Sequence, residues 1–526
     1  VGAIDVNGIS CRIPGGDTLF RDISFRVGNG EHIALVGANG AGKTTLFNAI
    51  VGDIPVDEGS IRVDGALRVM RQLVGPGRDE DRTVRDLLLA LSPAPQQRAA
   101  AALAEAEAAC ERDPSERNGL ALARAHAEWG DAGGWDAEVL WDTCTTIAVR
   151  QPLSEAGSRR LSTLSGGEQK RLALEVLLRS DADVLLLDEP DNYLDVPGKE
   201  WLEDALRANP KTILLVSHDR ELLAAVADKV VTLEGRTAWV HGGSFGTWHE
   251  ARDARLARID DEHRRWRDER KKLEDNLREY RRRAQMSDVW ASRIKATKTK
   301  IERVEAAPPT EKVRDHQVTM RLGGNRSGTR VVICEQLELA GLTDPFDAEV
   351  IFSERVAVLG LNGTGKSHFL RLLAGEPVAH AGTWRLGARV VAGYFSQTHD
   401  HPELRGVNVL DVVMRGGFQR GQAMATLRRY GLHGCATQPF ETLSGGQQAR
   451  LQILLLELSG ANLLLLDEPT DNLDLASAEA LEEALGSFIG TVVAVTHDRW
   501  FLRTFDRFLV FGRDCTVREH LEPQFA

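Results

Sequence analysis

Apolar residues fall along this chain in three rhythms, and each predicts a different element. Short unbroken runs (Ile33-Ala-Leu-Val36, Val184-Leu-Leu-Leu187, Leu215-Val216, Leu463-Leu-Leu-Leu466) predict buried strands. Ile4–Ile9 and Ile23–Val27 are further strand-like pieces near the start. Residues 245–307 hold almost no Gly or Pro, and Leu256, Ile259, Trp266, Leu273, Leu277 and Tyr280, with His263 and Arg270 in register, follow helical spacing. That is a coiled-coil seam of about three heptads. A second seam, Trp290, Ile294, Thr297, Ile301 and Val304, follows a break loaded with charge, Arg281-Arg282-Arg283-Ala-Gln-Met-Ser-Asp288. The pair predicts an antiparallel helical hairpin whose return helix reaches on the order of 25–30 Å from the body. The third rhythm is the alanine-rich run Gln97 to Cys110, where intrinsic propensity predicts helix.

Charge sharpens the reading of the hairpin. From Arg278 to Arg303 there are nine Arg or Lys against three acids, in a chain of net charge −12. A cationic rod on an anionic body points to a polyanionic partner met by a local patch. A solvated coiled coil that only spaces two domains is the plainer alternative. No run approaches the roughly 18 uncharged apolar residues that cross a bilayer, and no signal peptide opens the chain, so a cytoplasmic protein is expected. The six cysteines, Cys11, Cys110, Cys144, Cys334, Cys435 and Cys515, lie far apart with no Cys-x-x-Cys pair. They signal neither a zinc nor an iron–sulfur site and predict reduced thiols.

Phosphate chemistry is written twice. Gly37-Ala-Asn-Gly-Ala-Gly-Lys-Thr44 follows a buried strand and precedes an apolar helix (Leu46, Phe47, Ile50), the setting of a P-loop. Gly37, Gly40 and Gly42, with Asn39 between them, let backbone N–H groups wrap phosphates at a helix N-terminus. Lys43 reaches the outer phosphates, and Thr44, followed by Thr45, offers a hydroxyl to Mg²⁺. Downstream come Leu164-Ser-Gly-Gly-Glu168, a strand ending in Asp188-Glu189, and Leu215-Val-Ser-His218. The same order returns as Gly360-Leu-Asn-Gly-Thr-Gly-Lys-Ser367, Leu443-Ser-Gly-Gly-Gln447, Asp467-Glu468 and Val495-Thr-His497. A duplication whose P-loops lie a little over 300 residues apart marks two whole domains.

This ordered set, present twice, resembles the ATP-binding cassette superfamily. The resemblance implies an α/β P-loop fold in two tandem cassettes, ATP and Mg²⁺ as cofactors, and ATP hydrolysis. Asp188 and Asp467 would hold Mg²⁺ with Thr44 and Ser367, while Glu189 and Glu468 would orient and deprotonate the attacking water. Gln72 and Gln397 fit the glutamine loop that senses metal and γ-phosphate, and His218 and His497 the histidine on that phosphate. Asn362, Gly363, Gly365 and Lys366 repeat the first P-loop from Gly360 onward. Ser444, Gly445 and Gly446 would complete the site built on Lys43, and Ser165, Gly166 and Gly167 the site built on Lys366. Three departures stand out. Neither Arg12-Ile-Pro14 nor Glu338-Leu339 offers the usual aromatic for adenine, so the base is expected to be held weakly or by other residues. Gln447 stands where the first signature has Glu168, and Asp191-Asn-Tyr-Leu-Asp195 differs from Thr470-Asp-Asn-Leu-Asp474. Two competent sites with unequal rates are expected.

The chain divides into a first cassette (1–244), a helical hairpin (245–307), a connector (308–330) and a second cassette (331–526). Gly37 and Ser165 are 128 positions apart but Gly360 and Ser444 only 84, which marks a helical arm inserted at about 93–132. Two cassettes joined by a basic hairpin resemble the F subfamily. That resemblance implies a monomer that binds the ribosome at the tRNA exit site, its linker reaching large-subunit rRNA and peptidyl-tRNA. Arg281, Arg282, Arg283, Arg293, Lys295 and Lys298 would suit phosphates. Trp290 would either stack on a base or pack in the seam whose register it shares, the reading preferred here. Two roles compete: protection of ribosomes from large-subunit antibiotics such as macrolides, toward which the tip sequence leans, and a general translation factor acting on peptidyl-tRNA. A soluble ATPase of a macrolide exporter is the alternative of another class, and it gives no reason for the basic hairpin.

Overall fold

The computed structural model describes residues 2–12, 18–71, 82–284, 290–309, 318–396, 401–471 and 473–523. Each half of the chain builds the same pair of sheets. In the first half, a three-stranded antiparallel sheet runs Thr18–Val27, Ala3–Arg12, Glu58–Asp64. A six-stranded sheet runs Leu67–Met70, Val184–Asp188, Thr212–Val216, His32–Gly37, Lys229–Glu234, Thr237–His241, parallel except for its last pair. The second half repeats both orders, with Ala392–Phe395, Leu463–Asp467, Thr491–Val495, Arg355–Gly360, Arg507–Phe511 and Val517–His520 in the larger sheet.

The unbroken apolar runs have a simple cause. Val184–Asp188 and Thr212–Val216 are buried over their full length because both faces are covered. Leu185 and Leu187 point to a core shared with Leu172, Leu174 and Leu202 of the flanking helices, whereas Val184 and Leu186 point to one shared with Ile4, Phe20, Leu46 and Ile50. The P-loop helix, Lys43–Val51, is thus held between the two sheets.

Two helices, Ala94–Arg112 and Glu116–Asp131, pack on each other in the stretch that only the first half possesses. Ser115 caps the second by accepting a hydrogen bond from the Asn118 N–H. The cassettes are joined by a 37-residue helix, Trp248–Ala284, and a returning helix, Ala291–Ala306. Their antiparallel pairing is fixed at both ends. Near the body, Trp266 Nε1 donates to the Val304 carbonyl at 2.8 Å and Arg270 meets Glu305 at 3.1 Å. Near the tip, Trp290 stacks on Tyr280 at 5.5 Å, with the Arg293 and Arg283 guanidinium groups 4.9 and 5.3 Å from its ring. Trp290 is therefore a half-buried part of the seam. Arg281, Arg282 and Arg283 are exposed, Arg293, Lys295 and Lys298 lie on the return helix with exposed side chains, and part of the expected tip, residues 285–289, lies outside the described residues.

The two halves meet head to tail through reciprocal ion pairs. Arg220 of the first half holds Glu482 of the second, and Arg499 of the second holds Glu203 of the first. Arg220 and Arg499 directly follow the His-Asp pairs, and Glu203 and Glu482 each lie eight residues past Asp195 and Asp474, so the contacts repeat about a pseudo-twofold axis. Arg503 adds a pair to Glu221.

Candidate nucleotide sites between the two halves

Each P-loop turns into its helix through a glycine, Gly42 at φ 100° and Gly365 at φ 98°, conformations that disfavour side chains. A Cβ on Gly42 would also press on Leu19 and Phe20 at 3.1 Å. The lysines fold back over their loops. Lys43 Nζ donates to the carbonyls of Gly37 (2.7 Å) and Ala38 (3.3 Å), and Lys366 Nζ to those of Gly360 (2.7 Å) and Leu361 (2.9 Å). Burial lowers the pKa of both ammonium groups, opposed by Asp474, Glu189 and Asp188 at one and by Glu468, Asp467 and Asp195 at the other. Thr45 follows Thr44 on the first helix, and Ser367 Oγ donates to Asp467 Oδ1 at 3.1 Å.

Strand register brings the acids to the histidines. Asp188 lies opposite Val216 and Asp467 opposite Val495, so the next residue of each acidic strand meets the strand that leads to a histidine. Glu189 N–H donates to the Val216 carbonyl at 2.8 Å and Glu468 N–H to that of Val495 at 2.9 Å. Both glutamates adopt left-handed backbone, φ 48° and 49°, a strained state for a side-chain-bearing residue. The same backbone state recurs at the two equivalent carboxylates. Glu468 Oε1 lies 3.6 Å from His497 Nε2 and its Oε2 accepts the His497 N–H at 3.0 Å; Glu189 Oε1 lies 4.0 Å from His218 Nε2. Burial, reinforced by Asp471 and Asp467, pushes the Glu468 carboxyl up to about 8. Burial, then Lys43, brings His218 down to about 3, and burial holds His497 well below its ordinary value.

The signature helices, Gly166–Arg179 and Gly445–Ser459, start from matching caps. Ser165 Oγ accepts the Glu168 N–H while Glu168 Oε2 accepts the Ser165 N–H at 2.8 Å, and Gln447 Oε1 accepts the Ser444 N–H at 2.9 Å in the same way. The Glu168/Gln447 difference leaves the capping geometry intact and removes one charge. Ser165, Gly166 and Gly167 share a cavity of about 400 Å³ with Asn362, Gly363, Gly365, Lys366, Ser367, Glu468 and His497. A second cavity, about 770 Å³, brings Gly37, Asn39 and Gly40 to Gln447, Arg450, Asp474 and Ser477; Ser444, Gly445 and Gly446 do not line it. Gln72 and Gln397 lie outside the described residues.

The donor set suits a polyphosphate. Lysine donors are held by replaceable backbone carbonyls, and both ring nitrogens of His218 lack a hydrogen-bond partner among the described residues although buried. Several contacts of these residues escape motif reading. Asn39 N–H donates to Asp474 Oδ2 at 2.9 Å, and Asn362 Nδ2 to the Tyr193 carbonyl at 3.3 Å, each across the interface. Lys170, buried on the first signature helix, is lowered to about 8 by burial and opposed by Asp191, Glu189 and Asp188. Only the tertiary fold sets Asp474 and Tyr193 of the opposite half beside the P-loop asparagines.

A family model described as "ABC transporter" matches residues 20–192 and 344–471. An "Antibiotic resistance protein" of Mycobacteroides abscessus is 51% identical, covering 99% of this chain and 100% of its own. The "Energy-dependent translational throttle protein EttA" of Mycobacterium tuberculosis is 31% identical over 95% of this chain and 90% of its own, and "ATP-binding protein Uup" of Escherichia coli 30% over 92% and 76%. Among solved structures, an archaeal ribosome recycling factor aABCE1 in complex with the stalk protein aP1 covers 96% of this chain and 87% of its own at TM-score 0.56 and 17% identity, a likeness of fold. The cassettes are those of ATPases, no helix among the described residues is long and apolar enough to cross a membrane, and the chain belongs to the ABC-F subfamily of ATP-binding cassette proteins.

Proposed function

We propose that this ATPase acts on the ribosome, binding at the tRNA exit site of the large subunit with its cassettes closed on ATP and releasing after hydrolysis. The observation that carries this reading is the exposed Arg281–Arg283 cluster on a helical pair between the two cassettes, a cationic element on a chain of net charge −12. Counter-ion release from RNA phosphates would supply much of the affinity there. Arg293, Lys295 and Lys298 would add phosphate contacts, with Trp290 buttressing the tip against Tyr280. The protein would work as a monomer in the cytoplasm, touching rRNA and peptidyl-tRNA.

At each site the residues divide the work. Thr44 with Asp188, and Ser367 with Asp467, would hold Mg²⁺, which when bound neutralises charge on the β- and γ-phosphates. Lys43 and Lys366 would exchange their carbonyl partners for phosphate oxygens. Glu189 and Glu468 would take a proton from the attacking water, with His218 and His497 on the γ-phosphate, Gln72 and Gln397 sensing it, and the opposite signature serine and glycines closing the site.

The 51% relative named for antibiotic resistance favours a protective role, in which closure on the ribosome expels a large-subunit antibiotic such as a macrolide. The EttA relative supports the second reading, a general factor acting on peptidyl-tRNA. Ribosomes carrying radiolabelled macrolide, mixed with the Glu189→Gln/Glu468→Gln variant and ATP, should lose label. Binding without loss of label, for macrolides, lincosamides and pleuromutilins alike, would select the general factor.

A further inference from the structure

The two halves run in step, 279 residues apart, from Ser165 to Arg220, so side chains that break the symmetry can be read directly. The frame is common to both. Asp219 caps its helix by accepting from Glu221 and Leu222 N–H and donates its own N–H to Ser217; Asp498 does the same with Trp500, Phe501 and Thr496. A charged cluster is superimposed on the first half alone. Lys199 Nζ lies 3.0 Å from Asp219 Oδ2, and Ser217 Oγ donates to Asp191 Oδ1 at 2.7 Å. The equivalents of Lys199 and Asp191 are Ala478 and Thr470. Across the interface, Lys199 Nζ also donates to the His497 carbonyl at 3.2 Å.

A buried ammonium at this seam is costly, and Asp219, Asp191, Asp498 and Asp471 offset the cost. What the first half obtains is a grip on its neighbour's backbone. The His497 residue that Lys199 holds by its carbonyl is the one whose N–H holds Glu468 Oε2. We propose that Lys199 is a positioning residue acting in trans on the second site: it fixes the His497 backbone, and through it Glu468, so that hydrolysis on Lys366 depends on docking of the first cassette. Among the described residues no lysine makes the equivalent contact at the first site, where residue 478 is alanine, and Asn192 Nδ2 of the same half donates to Glu189 at 2.7 Å. The proposal rests on ATP hydrolysis and not on the ribosomal reading, so it can fail without touching that reading.

The test is single-turnover ATP hydrolysis, without ribosomes, of Lys199→Met and Lys199→Arg in two backgrounds. Glu189→Gln leaves Glu468 to hydrolyse, and Glu468→Gln leaves Glu189. In the first background Lys199→Met should slow the chemical step about tenfold with half-saturating ATP unchanged, and Lys199→Arg should restore most of the rate. In the second background the same substitution should change the rate by less than about twofold. Equal slowing in both backgrounds, no slowing in the first, or an arginine variant as slow as methionine would overturn the proposal. Absence of any turnover in the Glu189→Gln background would overturn it as well, because it requires a separately competent Glu468 site. Should Lys199→Met not fold, as read by its melting curve, Lys199→Gln carries the same comparison.

Discussion

Arg220 and Glu482 are 262 residues apart, one in each half, and their contact joins the two halves. Their side chains are 5% and 15% exposed, so the pair is nearly dry. Arg220 also lies 5.1 Å from the Trp500 ring and 3.9 Å from Asp498. Truncating one partner of such a pair costs roughly 2–5 kcal/mol, much of it from the stranded charge. The residual exposure of Glu482 argues for the lower half of that range. Because both groups return to water in the open state, the cost falls on closure and not on folding of either cassette. At about 1.4 kcal/mol per decade, Arg220→Ala should weaken ATP-driven closure by roughly 30-fold or more. Burial raises the Glu482 carboxyl in spite of Arg220, so the charged pair itself adds little net stability. A pKa raised in the closed state means that this carboxyl's contribution is present at low pH and is lost as pH rises. Replacing both partners, as Arg220→Met/Glu482→Leu, should therefore close at nearly the wild-type ATP concentration. Closure can be followed by energy transfer between dyes on the two cassettes during ATP titration, with the Glu189→Gln/Glu468→Gln pair present to block turnover. Unchanged closure in Arg220→Ala, or a double replacement as poor as the single one, would refute the reasoning.

Three further outcomes follow from the same geometry. Burial pushes the Glu468 carboxyl up to about 8 from an ordinary value near 4.5, so its contribution to nucleotide-free stability should be complete below about pH 4.5 and be lost as pH rises toward 8; Glu468→Gln should raise the melting temperature at pH 8 by several degrees and hardly at all at pH 4.5, and an equal gain at both would contradict burial as the cause. Changing Arg281, Arg282 and Arg283 together to Gln should leave ribosome-free ATPase within about twofold, while making ribosome binding weaker and less salt-dependent, by about 0.7–0.9 in log–log slope for each phosphate no longer neutralised; an unchanged slope would remove the cluster from the RNA interface. Trp290→Ala should loosen the end of the helical pair, seen as faster amide exchange in residues 275–284, because Tyr280 loses its stacking partner; unaltered exchange would mean that the tip is held by other contacts.

What the sequence revealed depended on how local the cause was. The strands around Asp188 and Asp467 were legible because burial on both faces leaves an unbroken apolar run, and the helical pair because its seam repeats at helical spacing. The P-loop helices Lys43–Val51 and Lys366–Leu373 were legible as elements because each follows a glycine-rich turn after an unbroken apolar strand. By contrast, the Arg220–Glu482 and Arg499–Glu203 pairs join residues that ordinary surface composition would accept anywhere. Lys199 reads as one more helix-surface lysine until the partner cassette covers it. The left-handed backbone of Glu189 and Glu468 has no sequence signature of its own; it accompanies main-chain bonds to Val216 and Val495 on the neighbouring strand. Gln447 caps Ser444 as Glu168 caps Ser165, so that departure leaves the cap in place, whereas the contacts of Asp191 and Lys199 belong to the first half.

If ATP-bound closure creates the ribosome-binding form and hydrolysis ends it, retention on ribosomes should follow the nucleotide. Co-sedimentation of the Glu189→Gln/Glu468→Gln variant with ribosomes, with ATP and with ADP, tests it most directly. Near-complete retention with ATP and release with ADP is expected. Equal retention with both nucleotides, or none with either, would contradict it.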